Sequence, residues 1–150
     1  MNKEETDKYY IGETFKLALN GKHTVHPNPM VGAVIVKNGK IMGQGYHLKP
    51  GSPHAEQEAI NDAGKSAHNS TLYINLEPCC HYGRTPPCSD LIIRSKIKRV
   101  VVSSLDPNPV VNGKSIEQLK RSGIEVKIGV LKDDAIKLNQ GFFNKFLNFS

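Results

Sequence analysis

No apolar run in this 150-residue chain approaches the roughly 20 residues that a membrane-spanning helix needs. The first eight residues, Met1-Asn2-Lys3-Glu4-Glu5-Thr6-Asp7-Lys8, are polar and hold no apolar signal region. Cysteine is scarce: the three present are an odd count, which suits a reducing cytoplasm better than a disulfide framework. Repeats, low-complexity tracts and internal linkers are absent. No Gly-rich dinucleotide fingerprint follows any strand-like run, so NADPH-dependent reduction is not expected of this chain. What is left is one globular domain over residues 1–150, long enough to bury about 68–70% of its unfolded surface. Its net charge of +6 and pI of about 9.2 suit anionic partners, a phosphorylated metabolite or a nucleic acid, without choosing between them.

Apolar periodicity gives the order of elements. Ile11, Phe15, Ala18 and Leu19 share one helical face that Gly21 stops. Residues 30–37 and 40–46 read as strands joined by Asn38-Gly39, the strongest short hairpin signal. A two-residue turn sets Met30 opposite His47 and brings Asn28 near His47, unless Gly43 or Gly45 marks a bulge. Helices follow over 54–63, 87–95, 115–121 and 133–146, and strands over 71–76, 99–104 and 124–130. A hairpin followed by alternating helix and strand predicts an α/β sandwich whose second half is parallel. Ligands bind such sheets beyond the carboxyl ends of the strands. Glu77-Pro78-Cys79 and Asp106-Pro107-Asn108 both follow strands and should border one crevice.

The chemistry concentrates in three short segments. His54, Cys79 and Cys88 offer one imidazole and two thiolates, and three protein ligands leave the fourth position of a tetrahedral zinc open, as catalytic sites require. Zinc lowers the pKa of bound water to about 7, and a carboxylate outside the ligand set, here Glu56, can shuttle the protons. His54 and Glu56 would diverge on a mid-helix surface, but Pro53 places them in a first turn. Thr85-Pro86-Pro87-Cys88 gives the same start signal, so two helix N-termini should aim their positive ends at the metal. Standing alone, His54 would read as a helix cap and Glu56 as a capping carboxylate; the cysteines tip both toward catalysis. Cys80 and His81 could close a four-ligand site, yet structural zinc sites show paired knuckles, which this chain lacks. Cys80 therefore reads as a small semi-buried residue, and His81 as a loop residue or a substrate neighbour. From the residues alone, Asn28, Asp106 and Asn108 serve turns or ligands equally well. Arg84 suits a phosphate or a polar ring edge, against a plain solvated charge. Arg94, Lys96, Lys98 and Arg99 read as a solvated basic face at a helix end rather than a nucleic-acid patch.

His-x-Glu followed by Pro-Cys-x-x-Cys marks zinc deaminases. Here eight residues, Cys80 to Pro87, separate Cys79 from Cys88. That longer segment resembles the deaminase half of the bacterial bifunctional riboflavin-biosynthesis deaminase/reductase. The stretches His26-Pro27-Asn28-Pro29-Met30-Val31-Gly32, Gly45-Tyr46-His47, Pro53-His54-Ala55-Glu56, Asp106-Pro107-Asn108-Pro109 and Leu138-Asn139-Gln140-Gly141-Phe142-Phe143 carry the same resemblance. It implies a cytidine deaminase-like fold, a three-layer α/β/α sandwich around a five-stranded mixed sheet. It implies zinc on His54, Cys79 and Cys88, proton transfer by Glu56, and substrate contacts from Asn28, His47, Arg84, Asp106 and Asn108. The implied reaction removes an exocyclic amine, as ammonia, from a diaminopyrimidinone ribosylamine 5′-phosphate. A homo-oligomer without membrane or nucleic-acid partners, and a missing reductase half, complete the expectation. The chain departs from the family at Glu58, where a second histidine is frequent, and at Gly113-Lys114-Ser115, where Gly-x-Gly is frequent. Two other readings compete: deamination of tRNA adenosine or a free nucleotide, which the long cysteine loop opposes, and an inactive zinc-stabilised binding module, which the retained Glu56 opposes.

Overall fold

A computed structural model describes residues 1–80 and 86–147. Helix α1 (Lys3–Ala18) starts at an Asn2 cap whose side chain accepts from Glu5 N at 2.8 Å. The hairpin β1 (Gly32–Lys37) and β2 (Lys40–Tyr46) follows, then α2 (Ala55–Ala63), β3 (Thr71–Leu76), α3 (Cys88–Arg94) and β4 (Arg99–Ser104). The chain continues through α4 (Lys114–Arg121), β5 (Glu125–Ile128), α5 (Lys132–Leu138) and α6 (Gln140–Leu147). The sheet order is β2-β1-β3-β4-β5, with β1 antiparallel to both neighbours and β3, β4 and β5 parallel. This is the expected five-stranded mixed sheet between helices.

Alternation along the strands builds the two faces. Ala33, Ile35, Leu72, Ile74, Val100 and Val102 meet α2, α3 and α4 through Ala59, Ile92 and Leu119. Val34, Val36, Tyr73 and Val101 meet α1 through Tyr10 and Ile11 on the other face. Two glycines decide how close α2 comes. A Cβ at Gly43 would run into the Ala59 carbonyl, and one at Gly45 into the Glu58 side chain, so α2 lies directly on β2. The register shifts between Ile35 and Val36, so Gly32 pairs with Tyr46 and Val31 accepts from His47 N at 3.0 Å. The bulge anticipated at a glycine falls beside Gly43 instead, at the unpaired Met42.

Several expectations change. Leu19 lies 47% exposed in a short 3-10 turn and is not part of the α1 face. The last helix is two, broken at Asn139, whose side chain is committed elsewhere. The strand expected over 124–130 is shorter, because Gly129 takes a φ of 91°. Arg99 is no solvated charge. It is 8% exposed and donates through Nη1 and Nη2 to Asp7 at 2.8 and 2.7 Å, and through Nε to Glu125 at 2.7 Å. Tyr73 Oη donates to the same Asp7 carboxylate at 2.9 Å. Burial pushes the Asp7 carboxyl up, but the bonds from Arg99 and Tyr73 outweigh it and hold the group below its ordinary value.

This pair ties α1 to β4 across 92 residues of sequence, so its loss should be costly. Arg99→Leu leaves Asp7 charged and unpaired and should lower the unfolding free energy by about 3–5 kcal/mol. Adding Asp7→Leu should restore most of it. A depressed carboxyl stabilises above its unfolded pKa of about 3.9 and loses that contribution as pH falls through its lower folded value. The Arg99→Leu deficit in urea titrations should therefore be full at neutral pH and shrink below about pH 4. A deficit under about 1 kcal/mol at pH 7 would mark a screened surface pair instead.

Candidate active site

Three chain segments meet beyond the carboxyl ends of β3 and β4. His54 sits at the N-cap of α2, where its backbone N donates to Gln57 Oε1 at 2.8 Å. The helix-cap reading is therefore correct for its backbone, while its imidazole does something else. His54 Nδ1 stands 3.3 Å from Cys88 Sγ and 3.7 Å from Cys79 Sγ. Cys79 follows β3, and Cys88 opens α3, donating its backbone N to Cys79 Sγ at 3.2 Å. The three donor atoms lie within 4.8 Å of one another. With Zn–S of about 2.3 Å and Zn–N of about 2.0–2.1 Å, a tetrahedral centre holds nitrogen and sulfur ligands about 3.5 Å apart. The donors already stand at that spacing, and zinc fits them.

The electrostatics agree. The hydrogen bond from Cys88 outweighs burial and, with His54 and the backbone N–H of Cys88, brings Cys79 down to about 4. Cys88, as donor to Cys79 and deep in the protein, moves strongly upward. The two thiols are thus driven in opposite directions, and a dication bound between them would displace their protons. Hydrogen bonding to Cys79 raises His54 against the effect of its burial. Glu56, two residues on in the first turn of α2, is 3% exposed. Burial first, and the Cys79 charge second, raise its carboxyl to about 7. An acid poised there can both take and give a proton at neutral pH.

A cavity of about 210 Å³ adjoins these groups, with Asn28, His47, Glu56, Glu77, Asp106 and Phe142 among its walls. His47 Nδ1 faces the Pro53 carbonyl at 3.2 Å, and a carbonyl only accepts, so this nitrogen carries the proton. Burial keeps the ring neutral by lowering its pKa. Its Nε2 then accepts from Asn28 Nδ2 at 3.0 Å, which turns the Asn28 carbonyl oxygen away from His47. The juxtaposition expected from the hairpin is present, with the register changed by one. Asp106 joins them from the end of β4. Asn108 is not among the residues lining the cavity; its Oδ1 accepts from Val110 N at 3.0 Å and closes a turn. Arg84 and His81 lie outside the described residues. Cys80, half-buried, is outside the three-donor cluster.

Three polar side chains in this region were given no role by the sequence reading, although Glu77 and Asn139 lie in segments it singled out. Asn75 and Asn139 both hold the Met30 carbonyl, at 3.0 and 2.8 Å, and so fix the loop that carries Asn28. Glu77, 4% exposed, accepts from the segment that follows Asp106. A carboxylate closing an apolar strand was the available signal for Glu77, since a charge there needs internal partners.

Residues 4–104 match the family described as the cytidine and deoxycytidylate deaminase zinc-binding region. The riboflavin biosynthesis protein RibD of Aquifex aeolicus is 57% identical over 139 residues, 93% of this chain and 39% of that protein. A diaminohydroxyphosphoribosylamino-pyrimidine deaminase of Buchnera aphidicola is 52% identical over 139 residues, 93% of this chain and 95% of that one. The solved RibD of Acinetobacter baumannii superposes with a TM-score of 0.94 at 47% identity, covering 96% of this chain and 40% of that one. The chain belongs to the zinc-binding cytidine and deoxycytidylate deaminase family and, within it, to the diaminohydroxyphosphoribosylaminopyrimidine deaminases. It spans about two-fifths of the length of the two RibD relatives. Zinc is the metal of this family.

If His54, Cys79 and Cys88 are the whole ligand set, Cys79→Ala and Cys88→Ala should each abolish stoichiometric zinc in elemental analysis. Cys80→Ala should retain one zinc per chain. Loss of the metal from the Cys80 variant would replace the three-ligand site with a closed four-ligand one.

Proposed function

We propose that this chain is a zinc-dependent aminohydrolase that deaminates the diaminopyrimidinone ribosylamine 5′-phosphate of riboflavin biosynthesis. The observation that carries the reading is a buried carboxyl, Glu56, two residues from His54 in a three-donor metal cluster that adjoins a cavity of about 210 Å³. The similarity to the Buchnera aphidicola deaminase along nearly its whole length supports the substrate class.

Held by His54, Cys79 and Cys88, zinc would polarise a water molecule at the cavity floor. Glu56 would take a proton from the water as its oxygen adds to the ring carbon bearing the exocyclic amine, and pass it to the adjacent ring nitrogen. It would then take the remaining hydroxyl proton and deliver it to the departing amine. A carbon–nitrogen bond breaks, a carbonyl forms, and ammonia leaves. The Asn28 carbonyl oxygen and the Asp106 carboxylate are acceptors for the ring's N–H groups, and neutral His47 holds Asn28 in that orientation. Asn108 keeps the turn that presents Asp106. Arg84, tethered between two ligand cysteines, supplies the cation for the phosphate. Pairing polar groups to one ring is how a small pocket rejects others, by factors of roughly 10⁴–10⁵. Among the described residues no helix is long and apolar enough to cross a membrane. The cytoplasmic location and homo-oligomeric state implied by the family belong to the same proposal, as does a single deaminase domain over residues 1–150.

Ammonia release should be seen with the pathway intermediate and not with deoxycytidylate or tRNA; release from either of those instead would move the chain to another branch. Glu56→Gln should keep its zinc and lose turnover by about 10²–10⁴-fold, the range of a general acid–base. Near-normal turnover would remove Glu56 from the reaction.

A further inference from the structure

Glu77 is a buried carboxylate that the proposed chemistry does not use. Its two oxygens are filled by donors from one segment of chain. Oε1 accepts from Asp106 N at 3.1 Å and Gly113 N at 2.9 Å; Oε2 accepts from Ser115 N at 3.2 Å and Ser115 Oγ at 2.8 Å. Among the described residues no lysine or arginine pairs with it. A charge kept out of water without a counter-ion persists only where several donors hold it. The same segment is closed from within, as Asn112 Nδ2 donates to Asp106 O at 2.8 Å. The backbone of Asp106 is therefore gripped at its N by Glu77 and at its O by Asn112. Glu77 also lies two residues before Cys79, at the end of the same strand. One strand end thus fixes a metal-ligand cysteine and, through a carboxylate, the place of a cavity carboxylate.

We infer that Glu77 is a positioning residue that sets Asp106 against the substrate. It touches no reacting atom, and it acts by holding the Asp106–Ser115 segment at a fixed reach from the metal ligands. The inference rests on the proposed role of Asp106 in substrate binding.

The test is Glu77→Gln. Glutamine has the same size, but whichever way its amide turns, its NH₂ faces a backbone N–H of this segment: Ser115 on one side, Asp106 and Gly113 on the other. Zinc content should stay at one per chain. KM for the pathway intermediate should rise about tenfold, and kcat should change less. Hydrogen exchange at the Asp106, Gly113 and Ser115 amides should quicken while that of the β-sheet stays unchanged. Ser115→Ala, which removes one donor and keeps the carboxylate, should raise KM in the same direction by a smaller factor. In an Asp106→Ala background, Glu77→Gln should add nothing further to KM. An equal KM penalty in both backgrounds, or unaltered amide exchange, would overturn the inference and leave the substrate contact standing. An Asp106→Ala variant with normal KM would remove that contact and the inference with it. Absent ammonia release from the unaltered chain would sink the proposed reaction, with amide exchange still deciding whether Glu77 holds the segment.

Discussion

The site depends on one unfavourable gathering of charge. Cys79, Cys88 and Glu56 converge where Cys88 and Glu56 are buried and Cys79 is half-buried, with the single, exposed imidazole of His54 within 3.7 Å of both sulfurs. Left to itself the cluster relieves the repulsion by shifting its protons: the Cys79 thiol is pushed down, the Cys88 thiol up, and burial raises the Glu56 carboxyl to about 7. A divalent cation relieves it differently, by neutralising both sulfurs and freeing their protons. The fold's part is to prevent the groups from separating. It does so with backbone hydrogen bonds, the N–H of Cys88 on Cys79 Sγ and the N–H of Ser89 on the Cys79 carbonyl, which need no metal.

Holding His54 in reach requires α2 to lie unusually near the sheet. The absence of side chains at Gly43 and Gly45 allows it, and these glycines face the stretch of α2 from Ala55 to Ala63. The bulge at Met42 shifts the pairing of the hairpin by one, so that His47 rather than Tyr46 stands opposite Val31 and takes its backbone bond. His47 is then placed to bond both Pro53, just before His54, and Asn28 in the opposite wall. A hairpin irregularity in one strand thus aligns the pocket with the metal cluster.

Much of this was legible in the sequence, where the signal is local. The strands at Thr71–Leu76 and Arg99–Ser104 are apolar runs with clear ends, and both have the expected bounds. The convergence of His54, Cys79 and Cys88 followed from residue types and helix-start prolines. What could not be read depends on distant partners. Nothing near Arg99 indicates that Asp7 awaits it, so a basic run looked solvated. The break at Asn139 was not read from the sequence, although Gly141 stands two residues on. It arises because the Asn139 amide pairs with both the N–H and the carbonyl of Met30, 109 residues away. Asn108 could be a turn former or a ligand by composition, and its observed bonds are those of a turn former.

Two groups of buried polar side chains occupy opposite ends of the sheet, and the contrast between them has a physical sense. At the amino end of the parallel strands, Asp7, Arg99 and Tyr73 form a closed set in which every charge meets a side-chain partner. Such a set resists movement and faces no ligand. At the carboxyl end, Asn75, Asn139 and Glu77 bond mainly to backbone groups of connecting segments. A side chain that satisfies loop backbone fixes a loop's position without fixing its sequence. Loops beyond the strand ends must carry groups for a substrate, and their own side chains are needed for that purpose. Drawing the restraints from the strands and a helix junction holds the loops that carry Asn28 and Asp106, both of which line the cavity.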